Sequence, residues 1–467
     1  MKILLCLLGA IPFLCVSCSE SEPVDLPKNT PEVPVTITPP DPDNPNSVVG
    51  PMEAISEIPY GSIPAKEYVI DLVKWDIPSN RSNPVKTTDN LQKAINWAKE
   101  QGFGKIILPK GHYLIGKEGN EIYQAGISLK SNMALLLDKD ATIEMAKNNK
   151  WNYCAISVRN LQHVVISGGT VIGDRDNHIY TPRKDGATAH DEGHLICIEG
   201  ESQFVTIENT VLAKANGDGI LTVGSKKGEP QKLTDVVIRN NNFADNRRQG
   251  ISIVGGKNIL VEKNEIHHTK GTEPQFGIDL EGAGRINRDI IIRNNYLHHN
   301  TGGDIVNTDG RNVLVEGNIL TQGEGSRYID GPLVYWDKAD MTIQNNNITM
   351  LTTSVNNWNG IIQYSRGNLE ANLNTTYILN NVCNSCGFYM YRGADLVIKN
   401  NYLKRGHLVF KEMDNLILEN NKVEHPSKCW AYRFLEVTGD ASGNTYNGKP
   451  FEIPLEEDEP YDGCWIN

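Results

Sequence analysis

The sequence lacks the features of a general nucleic-acid binder and of a protein that crosses a membrane repeatedly. Its 45 lysine and arginine residues are outnumbered by 57 aspartate and glutamate residues, which gives a net charge of −12. No basic stripe with interleaved aromatic residues is present, so we expect no nucleic acid as a partner. Beyond the N-terminal segment, no run is long and apolar enough to span a bilayer. An acidic substrate would therefore need a local positive pocket.

Cysteine is also scarce after the first 18 residues. The six that remain are Cys154, Cys197, Cys383, Cys386, Cys429 and Cys464. Cys383 and Cys386 have the CxxC spacing, but the absence of a second CxxC argues against zinc and favours a local disulfide or no bond. Cys197 lies in an apolar strand, where we expect a buried free thiol. Cys429 and Cys464 are candidates for a staple of the C-terminal tail.

The N-terminus has the pattern of a targeting segment. The apolar run from Ile3 to Val16 precedes Ser17-Cys18, which resembles a bacterial lipoprotein signal with an acylated Cys18. An ordinary signal peptide cut nearby is the alternative. Nine prolines between residues 21 and 51 indicate an extended tether. We therefore predict a signal peptide over 1–17, a lipidated tether over 18–58, and an outer-membrane lipoprotein that faces the periplasm or the cell surface.

A strand-and-turn unit recurs between residues 204 and 425, and each copy ends in an asparagine. The aligned asparagines are Asn241, Asn264, Asn295, Asn318, Asn346, Asn381, Asn401 and Asn421. They are 20 to 35 residues apart, a period typical of stacked units that cannot bury their apolar faces alone. The leucine pattern of leucine-rich repeats is absent, and propeller blades would need about 40 residues each. The repeat predicts an all-β, single-stranded, right-handed parallel β-helix over 59–450, with the asparagines turned inward and bonded along the stack.

A helix is predicted ahead of the repeats. Leu91, Ala94, Ile95 and Ala98 fall on one helical face, Thr88-Asp89 supplies a start signal and Gly102 a stop signal. We expect this helix to cap the open end of the first coil, where strand edges would otherwise be exposed. The acidic tail over 451–467 has no assigned role.

Two segments resemble the pectate-lyase-like superfamily, which includes polygalacturonases, mannuronan epimerases and phage tailspikes. The segment from Tyr68 to Ile115 looks like its N-terminal cap, and Gly168–Asp174 resembles its first-coil motif. The resemblance implies a parallel β-helix and a polysaccharide partner, but no particular reaction.

Polar residues on successive coils indicate one candidate catalytic site. Alternation along a strand would place Asp279 and Glu281 on the outer face, and coils stack about 4.8 Å apart. Asp218 and Arg248 would lie on the preceding coils. The run from His190 to His194 would add His190 and Glu192 one coil earlier, and Asn307 and Asp309 would follow one coil later. The alternative is that this row of polar residues is only a solvated face.

Two short matches to relatives argue against their reactions here. Residues 276–281 are similar to an element of mannuronan epimerases, but Phe276 and Glu281 replace its tyrosine and histidine, so epimerisation is not expected. Asn307–Gly310 matches the first polygalacturonase motif, but the later motifs are absent. The pairs His267-His268 and His298-His299 recur at one repeat position and are interpreted as turn elements.

Aromatic residues follow the same column on later coils. Alignment of the strand-opening glycines puts Tyr335, Tyr364, Tyr391 and Phe410 at the position of Glu281, with Trp336 and Trp358 nearby. We therefore regard Tyr335, Trp336, Tyr364, Tyr391 and Asp309 as candidate substrate-binding residues. The alternative is an aromatic ladder packed beneath a loop.

Three functions are compatible with these patterns. In a lyase, Arg248 or a histidine would act on a uronate, and Asp218, Asp279 and Glu281 are candidate calcium ligands. In a glycoside hydrolase, Asp279 and Glu281 would form the acid–base pair. A surface protein that only binds glycans would need the aromatic column alone. β-Elimination of a uronate-containing glycan is the primary hypothesis.

Overall fold

A computed structural model describes residues 63–116, 124–181, 190–282, 284–322, 331–336, 340–351, 360–364, 375–425 and 432–453. The predicted signal peptide, Cys18 and the tether lie outside the described residues, as do Trp358, Cys429, Cys464 and most of the acidic tail. Within the described ranges, no helix is long and apolar enough to cross a membrane.

The described residues form one helix, α1 over Pro84–Glu100, and a long series of short strands. In chain order the first strands are β1 Glu67–Val69, β2 Lys105–Leu108, β3 Gly111–Ile115, β4 Gln124–Ser128, β5 Met133–Leu137, β6 Ala141–Met145, β7 Asn152–Arg159, β8 Gln162–Ser167, β9 Thr170–Ile172, β10 Glu192–Glu199, β11 Gln203–Glu208, β12 Val211–Ala213, β13 Asp218–Val223, β14 Thr234–Arg239, β15 Asn242–Ala244, β16 Gln249–Val254, β17 Gly256–Glu262, β18 Glu265–His267 and β19 Phe276–Leu280. The remaining strands are β20 Asn287–Arg293, β21 Tyr296–His298, β22 Gly303–Asn307, β23 Gly310–Glu316, β24 Ile319–Gln322, β25 Leu333–Trp336, β26 Met341–Gln344, β27 Asn347–Met350, β28 Ile361–Tyr364, β29 Thr376–Leu379, β30 Val382–Asn384, β31 Phe388–Ala394, β32 Leu396–Lys399, β33 Tyr402–Lys404, β34 Leu408–Glu419, β35 Lys422–Glu424, β36 Tyr432–Ser442, β37 Thr445–Tyr446 and β38 Lys449–Pro450.

The strands stack in three parallel columns. Face A contains β4, β7, β10, β13, β16, β19, β22, β25, β28 and β31, and face B contains β1, β2, β5, β8, β11, β14, β17, β20, β23, β26, β29 and β32. The long strands β34 and β36 run across both faces and join them into a 24-stranded sheet. Face C is a 14-stranded sheet that contains the other strands, from β3 to β38. Each coil therefore contributes one strand to each face, which confirms the predicted parallel β-helix.

A ladder of asparagine side chains runs inside the corner between faces B and C. The backbone N–H of Thr210 donates to Oδ1 of Asn241, and the ladder ends at Asn444. At every step the Nδ2 of one asparagine donates to the Oδ1 of the next, at 2.9 to 3.1 Å. Asn295 and Asn318 are buried neighbours in this ladder, as predicted from the repeat.

The residue before each ladder asparagine makes the corner possible. Asn240 and Asn294 have φ angles of 53° and 54°, in the left-handed region that asparagine tolerates better than most residues. The first asparagine of a pair therefore turns the chain and the second bonds along the stack. This division of labour explains why the repeat reads Asn-Asn at most corners.

The helix α1 packs on the apolar core with Leu91, Ala94, Ile95 and Ala98 buried, which agrees with the predicted cap. It begins at Pro84 and not at Thr88-Asp89, because Pro84 is well suited to the first helical turn. Thr88 lies inside the helix, where its buried hydroxyl approaches the carbonyl oxygens of Pro84 at 2.8 Å and Gly116 at 3.1 Å.

The cysteines differ from expectation at one position. Cys197 on β10 forms a disulfide with Cys154 on the adjacent strand β7, with the two Cα atoms 6.1 Å apart. The prediction of a free thiol at Cys197 is therefore wrong, because strand stacking brings together two cysteines 43 residues apart. Cys383 and Cys386 are both buried and unpaired, which agrees with the predicted alternative of no bond between them.

Candidate functional site

The outer side of face A carries the candidate site. Ile220, Ile251 and Ile278 lie in register on β13, β16 and β19 and are buried in the core. The next residues along these strands, Leu221, Ser252 and Asp279, are also in register and therefore face outward. Asp279 thus lies on the outer side of its strand, as the alternation predicted.

Five charged side chains connect across four strands of this face, and we call them the charged chain. Glu192 Oε2 lies 3.2 Å from His194 Nε2, and His194 Nδ1 lies 3.3 Å from Asp218 Oδ2. Arg248 then joins Asp218 Oδ2 and Glu281 Oε2, at 3.1 Å each. The side chains of Glu192 and Glu281 are 52% and 38% exposed, whereas Asp218 and His194 are almost fully buried. The charged chain therefore has a buried middle and two ends that solvent reaches.

The pKa shifts in the middle of the charged chain favour its ionised form. Burial alone would lower the pKa of His194, but the carboxylates of Asp218 and Glu192 outweigh it and raise the pKa to about 9. Burial would raise the pKa of Asp218, but Arg248 and His194 lower it overall. The raised pKa of His194 and the lowered pKa of Asp218 favour an imidazolium and a carboxylate at neutral pH, whereas the backbone N–H of Asp218, 3.1 Å from His194 Nδ1, favours the neutral ring.

Asp279 lies beside the charged chain in a different electrostatic environment. Burial is the main cause that raises its pKa to about 8, and the negative charge of Glu281 raises it further against the opposing effect of Arg248. Its Oδ2 accepts a hydrogen bond from Gln249 Nε2 at 2.7 Å, and its buried Oδ1 has no hydrogen-bond partner. The carboxyl of Asp279 is therefore mostly protonated at neutral pH, two residues from the half-exposed Glu281.

His190 is not part of this arrangement. Its ring bonds to His178 at 2.8 Å and to Thr181 at 2.6 Å, away from the charged chain. Its backbone carbonyl oxygen accepts a hydrogen bond at 3.1 Å from Nη1 of Arg247, the residue before Arg248 of the charged chain. The prediction that His190 converges with Asp218 and Glu281 is therefore wrong, because the left-handed backbone of His190, with a φ of 63°, redirects the chain just before β10.

Of the two residues that were predicted on the next coil, Asn307 and Asp309, only Asp309 lies beside the candidate site. Asn307 is in register with Leu280, points inward and accepts a hydrogen bond from the N–H of Gly310 at 2.6 Å. Asp309 is exposed, and a β-carbon added at Gly282 would lie 2.1 Å from its Oδ2. The carboxylate of Asp309 therefore lies against Gly282, next to Glu281, whereas Asn307 is structural.

Two members of the predicted aromatic column, Tyr335 and Phe410, point inward, one residue away from the outward position. Tyr335 is in register with Asn307 and Gln363, is buried in the core and donates to Gln363 Oε1 at 3.0 Å. Phe410 also lies in the core. These two predictions are wrong because Gly331 and Gly406 each precede their strand by one extra residue, and a one-residue shift reverses the face.

Trp336, Tyr364 and Tyr391 form the outward aromatic column. Trp336 pairs with Tyr364 in the register, and their ring centroids are 5.6 Å apart. The Tyr391 ring lies 5.1 Å from Lys411 Nζ. Beneath Trp336 and Tyr364 is a second apolar cluster that is separate from the core, formed by Phe276, Val306, Val334 and Ile362. Face A thus changes from charged to aromatic along its length.

Calcium does not fit the residues that were proposed to bind it. The guanidinium of Arg248 lies between the carboxylates of Asp218 and Glu281, and Asp279 bonds to Gln249. Among the described residues, no group of three or more histidine, cysteine, aspartate or glutamate side chains is arranged to hold a metal ion. The expectation of calcium at Asp218, Asp279 and Glu281 is therefore not supported by this arrangement.

Sequence reasoning missed two members of the site. His194 lies two residues after Glu192 in the same strand, and this spacing was the signal that could have identified it. Gln249 bridges Asp279 and the N–H of Phe276, at 2.7 Å each, but nothing in its sequence context distinguishes it from an ordinary polar residue.

Comparison with known proteins agrees with the fold. The family model for a right-handed β-helix region matches residues 175–348. An uncharacterized protein of Bacillus subtilis, YclG, is 30% identical over 284 residues, which cover 56% of this chain and 48% of YclG. The chain thus spans about half the length of the curated relative it matches. The match agrees with the predicted right-handed parallel β-helix.

Two solved structures share this architecture. The A-module of the mannuronan C-5 epimerase AlgE6 of Azotobacter vinelandii has a TM-score of 0.59 and 14% identity, covering 82% of this chain and 99% of the module. The surface protein and adhesin PfbA of Streptococcus pneumoniae has a TM-score of 0.56 and 16% identity, covering 81% of this chain and 100% of that one. At this level of identity the likeness concerns the fold alone.

Proposed function

We propose that this protein is an enzyme that cleaves a polysaccharide by hydrolysis, with Asp279 as the proton donor and Glu281 as the partner carboxylate. The observation that carries the proposal is the contrast between these two groups, which lie on β19 and directly after its end. Asp279 is buried with a pKa raised to about 8, whereas Glu281 is half-exposed and paired with Arg248. Carboxyl pairs with such different environments are the usual acid–base pair of glycoside hydrolysis.

The different environments of the two groups support a separate task for each. Asp279 holds a proton at neutral pH and would deliver it to the glycosidic oxygen. Glu281, which Arg248 orients at 3.1 Å, would activate water or attack the sugar. Asp218 and His194 would hold Arg248 in place from below, because their charges compensate one another along the charged chain.

β-Elimination of a uronate, the primary hypothesis from the sequence, remains a second candidate. The cation of Arg248 favours it, because it lies on the floor of an otherwise acidic site and would neutralise a substrate carboxylate. For this role Arg248 would have to break its ion pair with Glu281 and bind the substrate carboxylate instead.

The outward aromatic column supports a glycan as the partner in either reaction. Trp336, Tyr364 and Tyr391 continue the column that begins at Glu281, and aromatic faces stack well on sugar rings. The fold is shared by a mannuronan epimerase and by a surface adhesin. The experiment therefore has to distinguish glycan cleavage from glycan binding without catalysis.

The experiment is incubation of the full chain with a panel of uronate-containing and neutral polysaccharides. New reducing ends without ultraviolet absorbance support hydrolysis. Reducing ends together with absorbance of unsaturated uronates support elimination and overturn the assignment of Asp279 and Glu281. Retention of a glycan without either product would overturn the enzymatic proposal and leave a binding protein.

The outer-membrane lipid anchor remains a proposal supported by the Ser17-Cys18 junction, which lies outside the described residues. Cys18→Ala should move the protein from the membrane fraction to the soluble fraction. An unchanged distribution would argue for plain secretion or for another anchor.

A further inference from the structure

A second network of polar groups lies beside the N-terminal end of the charged chain and takes no part in the proposed glycan cleavage. Asp174 follows β9, and its Oδ2 lies 2.7 Å from His178 Nδ1. His178 Nε2 lies 2.8 Å from His190 Nδ1, and His190 Nε2 lies 2.6 Å from the hydroxyl oxygen of Thr181. The four residues form one continuous hydrogen-bonded series, which we call the Asp–His–His–Thr relay.

The relay has a definite direction. The backbone N–H of Thr181 also donates to His190 Nε2, at 3.3 Å, and an N–H group can only donate. Nε2 of His190 is therefore an acceptor, which leaves the proton of the neutral ring on Nδ1, facing His178. His178 then donates from Nδ1 to Asp174, and the Thr181 hydroxyl is free to donate to His190.

The inner end of the relay is firmly anchored. Asp174 is buried and also accepts hydrogen bonds from the N–H and the Nδ2 of Asn148, at 3.1 and 2.8 Å, and from the hydroxyl of Tyr153. Burial and the nearby carboxylate raise the pKa of Tyr153 well above its usual value, so this hydroxyl stays a donor. Burial, aided by His178, lowers the pKa of His190 against the opposing effect of a hydrogen bond to the backbone of Lys150, which favours the neutral ring at neutral pH.

The outer end of the relay reaches the surface among apolar side chains. Thr181 is exposed, whereas the His190 ring is completely buried behind it. Of the seven large apolar side chains that are exposed in the described part of the chain, three lie here: Trp151, Ile179 and Tyr180, at 41 to 47% exposure. The Trp151 ring lies 4.9 Å from His190, and the Tyr180 ring lies 4.8 Å from His178. Clustered exposure of this kind marks a binding surface more often than chance.

We propose that Thr181 is a nucleophile activated by His190, and that this second site hydrolyses small acyl esters. A hydroxyl within hydrogen-bond reach of a base, which a third group orients, is the geometric signature of covalent acyl transfer and recurs on unrelated folds. Here His178 and Asp174 share the orienting role. Trp151 and Tyr180 would contact the acyl group. The proposal does not rest on the proposed glycan cleavage.

The reaction balances with water as the only co-substrate. The Thr181 oxygen attacks the ester carbonyl carbon while its proton passes to His190 Nε2. The bond between the carbonyl carbon and the alcohol oxygen then breaks, and the alcohol leaves with that proton. Water repeats the sequence on the acyl-threonine and releases the carboxylic acid. The guanidinium of Arg247, which lies 4.5 Å from the centroid of the Tyr180 ring and donates to the His190 carbonyl oxygen, would supply positive charge as the ester carbonyl oxygen becomes negative.

The test uses p-nitrophenyl acetate with the full chain, followed by release of nitrophenolate and by peptide mass mapping of the acetyl group. We expect an acetyl adduct on Thr181, its loss in Thr181→Val, and its retention in Thr181→Ser, which keeps the hydroxyl. Asp174→Asn should slow acylation by at least about tenfold, because it removes the charge that stabilises the protonated relay. Thr438→Val, which alters a surface threonine that bonds to Asp414 and Asn415, is the matched control.

Three outcomes would overturn the proposal. They are an adduct that maps to another residue, hydrolysis by Thr181→Val at the rate of the unaltered protein, and the absence of both adduct and nitrophenolate release. Thermal unfolding of each variant separates a loss of reactivity from a loss of folding. If Asp174→Asn unfolds, the exposed Thr181→Val and Thr181→Ser pair still decides the question.

Discussion

The asparagine ladder and the charged chain are both rows of polar groups that cross several coils, yet they are built on opposite rules. In the ladder every step repeats the same two hydrogen bonds, and every amide is buried and paired. In the charged chain no step resembles the next, and Oδ1 of Asp218 is buried without a hydrogen-bond partner, as is Oδ1 of Asp279 beside the chain. Fully satisfied polar networks stabilise a fold, whereas unsatisfied groups are tolerated mainly where function requires them. The difference sets the residues that hold the coils together apart from the residues that we propose as catalytic.

The largest effect on activity is expected from a substitution at Asp279, beside the charged chain. Asp279→Asn is nearly isosteric and removes the titratable proton, so glycan cleavage should fall by at least about 100-fold. Turnover on the substrate identified by the glycan panel is the measurement. Val306→Ala, which changes the next outward position in the same column, is the control and should retain most activity. Intact turnover in Asp279→Asn would end the assignment of the proton donor.

The ladder should respond in stability and not in turnover per folded molecule. Asn295→Ala leaves the Asn264 amide and the Val261 carbonyl oxygen without their partner, and should lower the free energy of unfolding by about 1–3 kcal/mol. Denaturant unfolding measures this change. Asn347→Ala, at an exposed strand position, should cost less than about 0.5 kcal/mol. Equal losses in the two variants would show that the ladder contributes no more than an ordinary surface asparagine.

The two rows should also differ in their response to pH. The pKa of Asp279 is about 8 in the folded chain and about 4 in an unfolded one. Between these values the folded state binds one more proton, so its contribution to stability is lost as the pH rises through 8. His194, with a pKa of about 9, adds a loss of the same sign between about pH 6.5 and 9. We expect Asp279→Asn to flatten the decline in unfolding free energy, which is at most about 1.4 kcal/mol per pH unit for one group.

Asn295→Ala is the control for this pH series, because it changes stability without changing a titratable group. Its curve should run parallel to that of the unaltered protein. If Asp279→Asn instead runs parallel as well, the folded pKa of Asp279 is close to its ordinary value and the proton-donor role loses its basis.

The smallest effect is expected in the aromatic column. Trp336→Ala should weaken glycan retention by about 2- to 10-fold, the usual value of one stacked ring, and should leave kcat nearly unchanged. Tyr335→Phe is a sharp control because the adjacent ring points into the core and should not affect binding. Affinity electrophoresis on the cleaved glycan measures glycan binding by the two variants. If Tyr335→Phe weakens binding as much as Trp336→Ala, the outward register is wrong.

The parts of the structure that repeat were predictable, and the parts that do not repeat were predictable only in outline. The asparagine spacing predicts the coils, and period-two alternation places Asp279 and Glu281 on one face. The aromatic residues were partly misplaced because the glycines at 331 and 406 lie two residues before the registered core positions of their strands, whereas those at 277 and 360 lie one residue before them. His190 was misplaced because its left-handed backbone redirects the chain just before β10. No local pattern predicts the partners of His178 or Gln249, since these contacts depend on how one coil lies against the next.

The ladder also explains how the chain can vary without refolding its interior. Successive ladder residues are separated by 20, 23, 28, 31 or 35 positions, yet the Nδ2 to Oδ1 distance stays within 0.2 Å. The hydrogen bonds of the interior therefore depend only on the corners, and the segments between the corners can lengthen with little loss of stability. For protein engineering, this makes the loops suitable places for grafting, where a new peptide can be inserted while the neighbouring coils keep their contacts. For evolution, it means that the surface that meets a ligand and the interior that supports it can change independently.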